Sequence, residues 1–197
     1  MKKADYSKPD YYARKAKAEG FPARSVFKLE ELDRKFKILK KGMRVLDLGA
    51  APGSWMQYAS EKVGEPGRVI GIDLDLPSRN VGGNEVFIQE DVFQLDPLEL
   101  KKKFGIFDLV LSDLAPDTSG QKGTDALRSV ALAERAEVIA EALLKPGGNF
   151  LVKVFEGPGF DDFLKLLKTK FKGASSFKPK SSRANSKEIY IFCKSRK

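Results

Sequence analysis

Histidine is absent from this sequence of 197 residues. That absence excludes a Ser-His-Asp triad, a Cys-His nucleophile pair and the commonest zinc sites, so any catalysis has to use Lys, Asp, Glu or Tyr. Cysteine is almost absent as well. Cys193 stands alone, which leaves no internal disulfide and no cysteine-rich metal site, and fits a small residue in a late strand. No apolar run approaches the ~20 residues that cross a bilayer. The opening stretch, MKKADYSKPDYY, lacks the apolar core of a signal peptide, so a cytoplasmic protein without a membrane partner is expected. Internal repeats and low-complexity linkers are missing too. What remains is an ordinary globular mixture, 42% hydrophobic and 32% charged, of a length that fits one domain over residues 1–197.

The formal net charge is +9, and its distribution says more than its size. Beyond Leu164, eleven Lys and Arg face a single acid, Glu188, whereas the preceding 164 residues carry a net −1. Residues 1–24 hold seven bases against three acids, with Tyr6, Tyr11 and Tyr12 among them. The sequence therefore has a basic N-terminal segment, 1–24, a basic C-terminal region, 165–197, and an acidic middle. If both ends fold onto one face, they form a surface for nucleic-acid phosphates, with tyrosines able to stack on bases. Two separately solvated basic ends are the plain alternative.

From Met43 onward, short β-branched runs alternate with amphipathic stretches, the pattern of βαβ units around a mostly parallel sheet. Strands are predicted at Met43 to Gly49, Arg68 to Leu74, Glu85 to Val92, Phe107 to Asp113 and Asn149 to Phe155, with SSFKP and KEIYIFCK as two closing strands. Helices are predicted over Ser54 to Val63, Thr124 to Leu144, where Lys-Pro-Gly-Gly stops the run, and Asp161 to Phe171. Upstream, Val26, Leu29, Leu32 and Phe36 recur on one helical face between Ala23 and Phe36, and Lys28 lies on that helix.

Chemistry concentrates at the carboxyl ends of these strands. Leu46-Asp-Leu-Gly-Ala-Ala-Pro-Gly53 runs from a strand through a glycine turn into a helix, as nucleotide-type cofactors require. The spacing is not G-x-G-x-x-G, which argues against a dehydrogenase. Asp47 argues further against it. A carboxylate two residues before the turn repels a pyrophosphate but suits S-adenosylmethionine, which has no phosphate and carries an ammonium and a sulfonium. Asp73 ends the second strand, where a carboxylate can accept from both ribose hydroxyls, and Asp91 ends the third, where it can accept from an adenine amino group. Each alone reads as a turn or capping carboxylate; together, at successive strand ends, they read as a cofactor site. Asp113, in Ser112-Asp-Leu-Ala-Pro116, stands at the lip of the same crevice. That segment is not the Asp/Asn-Pro-Pro-aromatic signature of exocyclic-amine methyltransferases, and the cysteine that pyrimidine C5 enzymes need is not near it. Lys153 is a charge within the apolar run Leu-Val-Lys-Val-Phe, costly to bury unless it is paired or opens into a cleft. Glu188, the lone acid of the basic region, begins the last strand.

Five segments in order resemble the FtsJ family of ribosomal RNA ribose methyltransferases, over nearly the whole chain. They are Arg24-Ser-Val-Phe-Lys-Leu, Leu46 to Gly53, Ser112-Asp-Leu-Ala-Pro, Val152-Lys-Val-Phe and Ser181-Ser-Arg-Ala-Asn-Ser-Lys-Glu-Ile-Tyr. The resemblance implies a Rossmann-like α/β methyltransferase fold that uses S-adenosylmethionine, with a seven-stranded mostly parallel sheet and helices on both faces. It carries the family's Lys-Asp-Lys-Glu tetrad onto Lys28, Asp113, Lys153 and Glu188, and its cofactor positions onto Gly49, Gly53, Trp55, Asp73 and Asp91. Asp47, Pro52 and Asp113 join the cofactor set from the motifs themselves. The stretch Gly71-Ile-Asp-Leu-Asp-Leu-Pro77 is one residue longer after Asp73 than the family pattern, which leaves Asp73 and Asp75 both open as the ribose ligand.

On this reading the substrate is a ribose 2'-hydroxyl, a uridine of large-subunit (23S) ribosomal RNA, alone or within the large subunit. A monomer without metal suffices. Lys153 would face the hydroxyl, as base if burial and Lys28 lower its pKa, or otherwise stabilising the developing alkoxide. Asp113 would orient Lys153, and Glu188 and Lys28 would complete the network, with Lys28 also touching the target phosphate or ribose. Two other readings compete: 2'-O-methylation of transfer RNA or an mRNA cap, and a catalytically silent RNA-binding ribosome assembly factor that retains the fold. The intact tetrad argues against the silent factor.

Overall fold

The computed structural model describes residues 11–183 and 185–197. Lys2, Lys3, Tyr6 and Lys8 of the expected basic segment lie outside the described residues. The elements run α1 (Tyr11–Ala18), α2 (Val26–Phe36), β1 (Arg44–Leu48), α3 (Ser54–Val63), β2 (Arg68–Asp73), β3 (Glu85–Gln89) and α4 (Pro97–Phe104). There follow β4 (Phe107–Ser112), α5 (Lys122–Leu143), β5 (Leu144–Phe155), α6 (Phe160–Lys170), β6 (Phe171–Phe177) and β7 (Glu188–Arg196).

One seven-stranded sheet, in the order β3-β2-β1-β4-β5-β7-β6, organises the chain. β1 to β5 pair in parallel, and β7 alone runs antiparallel to both of its neighbours. The strand order reverses between β1 and β4, and the crevice outside their carboxyl ends is where open α/β sheets bind ligands. Alternation along the strands divides the core. Leu46, Leu48, Ile70, Val110 and Val152 pack on one face with α4, α5 and α6, whereas Val45, Val69, Leu109, Leu111 and Leu151 pack on the other with α1, α2 and α3. Asp47 and Lys153 fall, by the same period of two, on the α1–α3 side. Among the described residues no helix is long and apolar enough to cross a membrane.

Two helices were not expected from the sequence. α1 is short, with only Ala16 fully buried, so its apolar periodicity is faint. α4 carries its own start signal: the Asp96 side chain accepts the Leu98 N–H at 2.8 Å and Pro97 occupies the first turn. Its exposed Leu98 and lysines mask the two buried positions, Leu100 and Phe104. β3 stops at Gln89 rather than Val92, so Asp91 lies in the following loop and not at a strand end. α2 starts at Val26, since Ala23 to Ser25 form the turn before it. The Pro-Gly-Gly stretch does break the path between α5 and the paired part of β5: partners jump from Phe107–Leu144 to Leu109–Asn149.

Candidate active site

Gly49 turns the chain out of β1 at a φ of 81°, and the Gly49 and Ala50 N–H groups donate to the Ile72 carbonyl at 2.9 and 3.2 Å. A Cβ on Gly49 would lie 2.9 Å from the Leu114 nitrogen, so the turn presses against the end of β4 at a distance open only to glycine. Gly53 caps α3, whose first internal bond runs from the Gln57 N–H to the Gly53 carbonyl at 3.0 Å. The N–H groups of Ser54, Trp55 and Met56 therefore have no helix carbonyl to donate to. Pro52 lies between the glycines, its carbonyl accepting the Ser78 N–H at 3.1 Å.

Three carboxylates gather here. Asp73 Oδ2 accepts the Ala51 N–H at 2.8 Å and its Oδ1 accepts the Asp75 N–H at 3.0 Å, which fixes this side chain against the glycine turn. Asp75 is exposed, and its backbone N–H is the second donor to the Asp73 carboxylate. Asp47 is fully buried, and neither of its carboxylate oxygens has a hydrogen-bond partner among the described residues. Burial first, then the Asp113 and Asp73 charges, push its carboxyl well above the usual range. A buried acid with no partner, beside two more acids, is the complement of a positively charged ligand.

The Asp113 N–H donates to the Leu48 carbonyl at 3.0 Å, which fixes this residue beside the glycine turn. Its Oδ1 lies 3.0 Å from the Lys153 ammonium, which also donates to the Asp113 carbonyl. Lys153 is only 5% exposed, so this pairing compensates a charge held inside the sheet. Among the described residues two of its three N–H donors are thereby engaged and one remains. Tyr190 faces Lys153 across the β5–β7 pair and donates its hydroxyl to the same Asp113 Oδ1 at 2.6 Å. Burial pushes the Asp113 pKa up, but the Lys153 and Lys28 charges and the bonds from Tyr190 and Lys153 outweigh it and hold the carboxyl below its ordinary value. Burial, then the Asp113 and Glu188 charges, raise the Tyr190 phenol well above its ordinary value, so it remains a donor.

Two residues before Tyr190, Glu188 pairs in register with Phe155 and accepts the Lys28 ammonium at 2.8 Å. That ammonium stands 5.9 Å from the centroid of the Tyr190 ring. The structure thus brings Lys28, Asp113, Lys153 and Glu188 together, with Tyr190 joining the two ion pairs. Tyr190 was not singled out in the sequence. Its signals there are its place at the end of the family-like segment that begins at Ser181 and its position two residues after Glu188 in an alternating strand, which puts both side chains on one face.

Other expected residues sit differently. Trp55 is 2% exposed, its indole N–H donates to the Ser25 carbonyl at 2.8 Å, and its ring lies 5.8 Å from that of Tyr190. Its side chain braces α3 against the chain before α2, and only its backbone N–H belongs to the open end of α3. Asp91 Oδ1 accepts the Phe93 N–H at 2.9 Å, making this residue a turn cap on the loop after β3. The basic termini meet in part. The Arg24 guanidinium donates to the Ser181 carbonyl, and Glu31 accepts the Lys180 and Ser181 N–H groups at 2.7 and 2.8 Å. Other charges of the C-terminal region lie elsewhere: Lys170 is held by Glu137 and Glu141 of α5 at 2.9 and 2.6 Å.

Known proteins resemble the chain over nearly its whole length. Residues 21–196 match the family described as FtsJ-like methyltransferase. The Ribosomal RNA large subunit methyltransferase E of Desulfatibacillum aliphaticivorans is 52% identical over 182 residues, 92% of this chain and 88% of that protein. The protein of the same name from Bdellovibrio bacteriovorus is 47% identical over 195 residues, 98% of this chain and 99% of that one. Among solved structures, a Plasmodium falciparum protein assigned as a ribosomal RNA methyltransferase superposes with a TM-score of 0.79 at 31% identity, covering 89% of this chain and 98% of its own.

Proposed function

Because the chain belongs to the FtsJ-like methyltransferase family, we propose that it transfers a methyl group from S-adenosylmethionine to a ribose 2'-hydroxyl of large-subunit ribosomal RNA. The observation that carries the reading is the Asp113–Lys153 pair, a buried lysine held at the crevice beside the Lys28–Glu188 pair. The names of the relatives favour ribosomal RNA over transfer RNA or a cap. Such a protein works in the cytoplasm where ribosomes are made, and one chain carries every group the reaction uses.

The unpartnered Asp47 carboxylate fits a cofactor whose amino-acid end bears an ammonium. Asp73 would take the ribose hydroxyls and Asp91 the adenine amino group, while Gly49, Pro52, Gly53 and the Trp55 backbone shape the turn around them. When bound, S-adenosylmethionine supplies a methyl group already activated by the sulfonium. The protein then has to align the 2'-hydroxyl and help its proton leave. The remaining Lys153 donor is the group for that oxygen, where it stabilises the negative charge that develops as the oxygen takes the methyl and the hydroxyl proton passes to water. Asp113, itself held by Tyr190, fixes Lys153, and Lys28 with Glu188 shapes the approach of the target nucleotide.

The test is tritiated methyl transfer from S-adenosylmethionine to large ribosomal subunits and, in parallel, to total RNA from a strain lacking the gene, followed by mapping of the modified nucleotide. Label at one 2'-hydroxyl of the large-subunit RNA is expected. Label confined to transfer RNA or capped RNA, or binding without transfer, overturns the proposal.

A further inference from the structure

Away from the cofactor crevice, α1, α2 and the segment after β6 enclose a groove of about 440 Å³. Four aromatic side chains, Tyr11, Tyr12, Phe27 and Phe177, contribute to its lining. Tyr11 is 65% exposed and meets Tyr12 edge-on at 5.3 Å, and Tyr12 packs against Phe27 at 5.6 Å. Cations surround the rings: the Lys15 ammonium lies 4.3 Å from the Phe27 centroid and that of Lys35 lies 4.1 Å from the Phe177 centroid, with Arg34 and Lys180 also lining the groove. The two acids of the groove are already engaged. Glu30 pairs with Arg34 at 2.7 Å, and Glu31 accepts the Lys180 and Ser181 N–H groups. Outside the groove, Lys15 also meets Glu19 at 3.7 Å. Positive charge therefore prevails around an exposed flat ring, the chemistry that receives a nucleobase together with its phosphate.

Arg24 links this groove to the tetrad. Its guanidinium lies 5.4 Å from the Tyr12 centroid and donates to the Ser181 carbonyl, and it stands within the fields of Arg183 and Glu188. Glu188 in turn holds Lys28. Lys28, Glu188 and Arg24 thus connect the tetrad to Tyr12 of α1 through successive contacts.

We propose that this groove seats a nucleotide of the RNA flanking the methylated one, with its base stacked on Tyr11 and its phosphate held by Lys15, Lys35 and Lys180. The inference rests on the RNA-methylating function and assigns that function a second binding site. The large exposure of Tyr11 makes Tyr11→Ala harmless to folding, so the variant reports on binding.

Methyl transfer to methyl-deficient large ribosomal subunits would be measured for the parental protein, Tyr11→Ala, Tyr11→Trp and the double variant Lys35→Ala, Lys180→Ala. Tyr11→Ala should raise KM for subunits roughly tenfold, as removal of one stacking ring does, with kcat and cofactor affinity unchanged. Tyr11→Trp should stay within about twofold of the parental KM, because the stacking face is retained. The lysine pair should raise KM and flatten its salt dependence by about one unit for each phosphate that is no longer neutralised. A photo-reactive residue at position 11 should cross-link to RNA close to the methylated nucleotide. Cross-linking to a ribosomal protein instead, or KM values indifferent to Tyr11→Ala and to the lysine pair, overturns the groove while leaving the function standing. Failure of the parental protein to methylate the subunits overturns the function, and the groove's assignment with it.

Discussion

Tyr190 donates its hydroxyl to Asp113 Oδ1 at 2.6 Å, the same oxygen that faces the Lys153 ammonium at 3.0 Å. The carboxylate thus has two donors on one oxygen, and removing one leaves its orientation to the other alone. Tyr190→Phe keeps the ring and its packing but deletes a bond to a charged group, worth about 1.5 to 3 kcal/mol. We expect kcat to fall roughly tenfold with cofactor affinity unchanged. The Asp113 carboxyl, now missing one group that lowers its pKa, should titrate higher, so the acidic limb of the pH–rate profile moves up. A parental pH profile in Tyr190→Phe would show that this bond is only structural.

Asp47 gives a prediction of opposite sign for stability and for binding. Its carboxyl titrates above that of an unfolded-chain aspartate, so the folded, ligand-free protein binds the proton more tightly. Stability of that state therefore declines as pH rises between the unfolded and folded values, then levels off. Asp47→Asn removes the buried ionisable group. At neutral pH the free protein should unfold at a higher temperature, by roughly 2 to 4 °C for each kcal/mol recovered, while S-adenosylmethionine binds at least tenfold more weakly, the loss expected of a charge-assisted hydrogen bond. In the parental protein, affinity should increase with pH as Asp47 ionises, and calorimetry in buffers of different ionisation enthalpy should show proton release on binding. Unchanged affinity in Asp47→Asn would place the ammonium elsewhere.

The sheet was legible because β-branched runs and glycine turns leave a local mark at every parallel strand. The crevice followed from it, since Asp47, Asp73 and Asp113 lie at or beside strand ends and a strand end is where a ligand meets the sheet. What the sequence did not show depends on interactions between distant segments. Tyr190 reaches Asp113 over 77 positions, and Glu31 reaches Ser181 over 150. Trp55 was an expected cofactor position, yet its indole turns toward Ser25 and the core, a choice made by packing that a motif does not encode. Summed charge misled for a similar reason: Lys170 belongs to the same basic region as Lys180 but is neutralised on the opposite side of the sheet.

Glu31 holds the Lys180 and Ser181 N–H groups at 2.7 and 2.8 Å, and so fixes the segment that leads to Glu188 against the helix that carries Lys28. Glu31→Ala frees both donors and should lower kcat/KM for RNA by roughly tenfold, with the cofactor site unaffected. Glu31→Gln keeps one carbonyl acceptor and should fall between. Hydrogen exchange at Lys180 and Ser181 should quicken in the same order. Slow exchange in Glu31→Ala would mean that Arg24 alone holds the segment.

Lys153 separates catalysis from folding, provided that its partner is treated together with it. Lys153→Met removes the donor proposed for the 2'-hydroxyl but leaves the buried Asp113 carboxylate with only the Tyr190 hydroxyl and the Lys28 charge, and breaking such a pair costs about 3 to 5 kcal/mol. The single variant is therefore expected to melt early as well as to lose activity. Its stability should improve at low pH, because Asp113 without Lys153 titrates higher and becomes neutral as pH falls. Lys153→Met combined with Asp113→Asn removes both charges and should recover most of the melting temperature. Activity should not recover with it: turnover stays down by roughly 10² or more, the contribution of one donor aimed at a developing oxyanion. Lys153→Arg should also stay inactive, since a planar guanidinium cannot take the place of a compact ammonium beside the oxygen. A refolded double variant that methylates RNA at the parental rate would show that the pair serves the fold alone, and the search for the group facing the hydroxyl would then pass to Lys28.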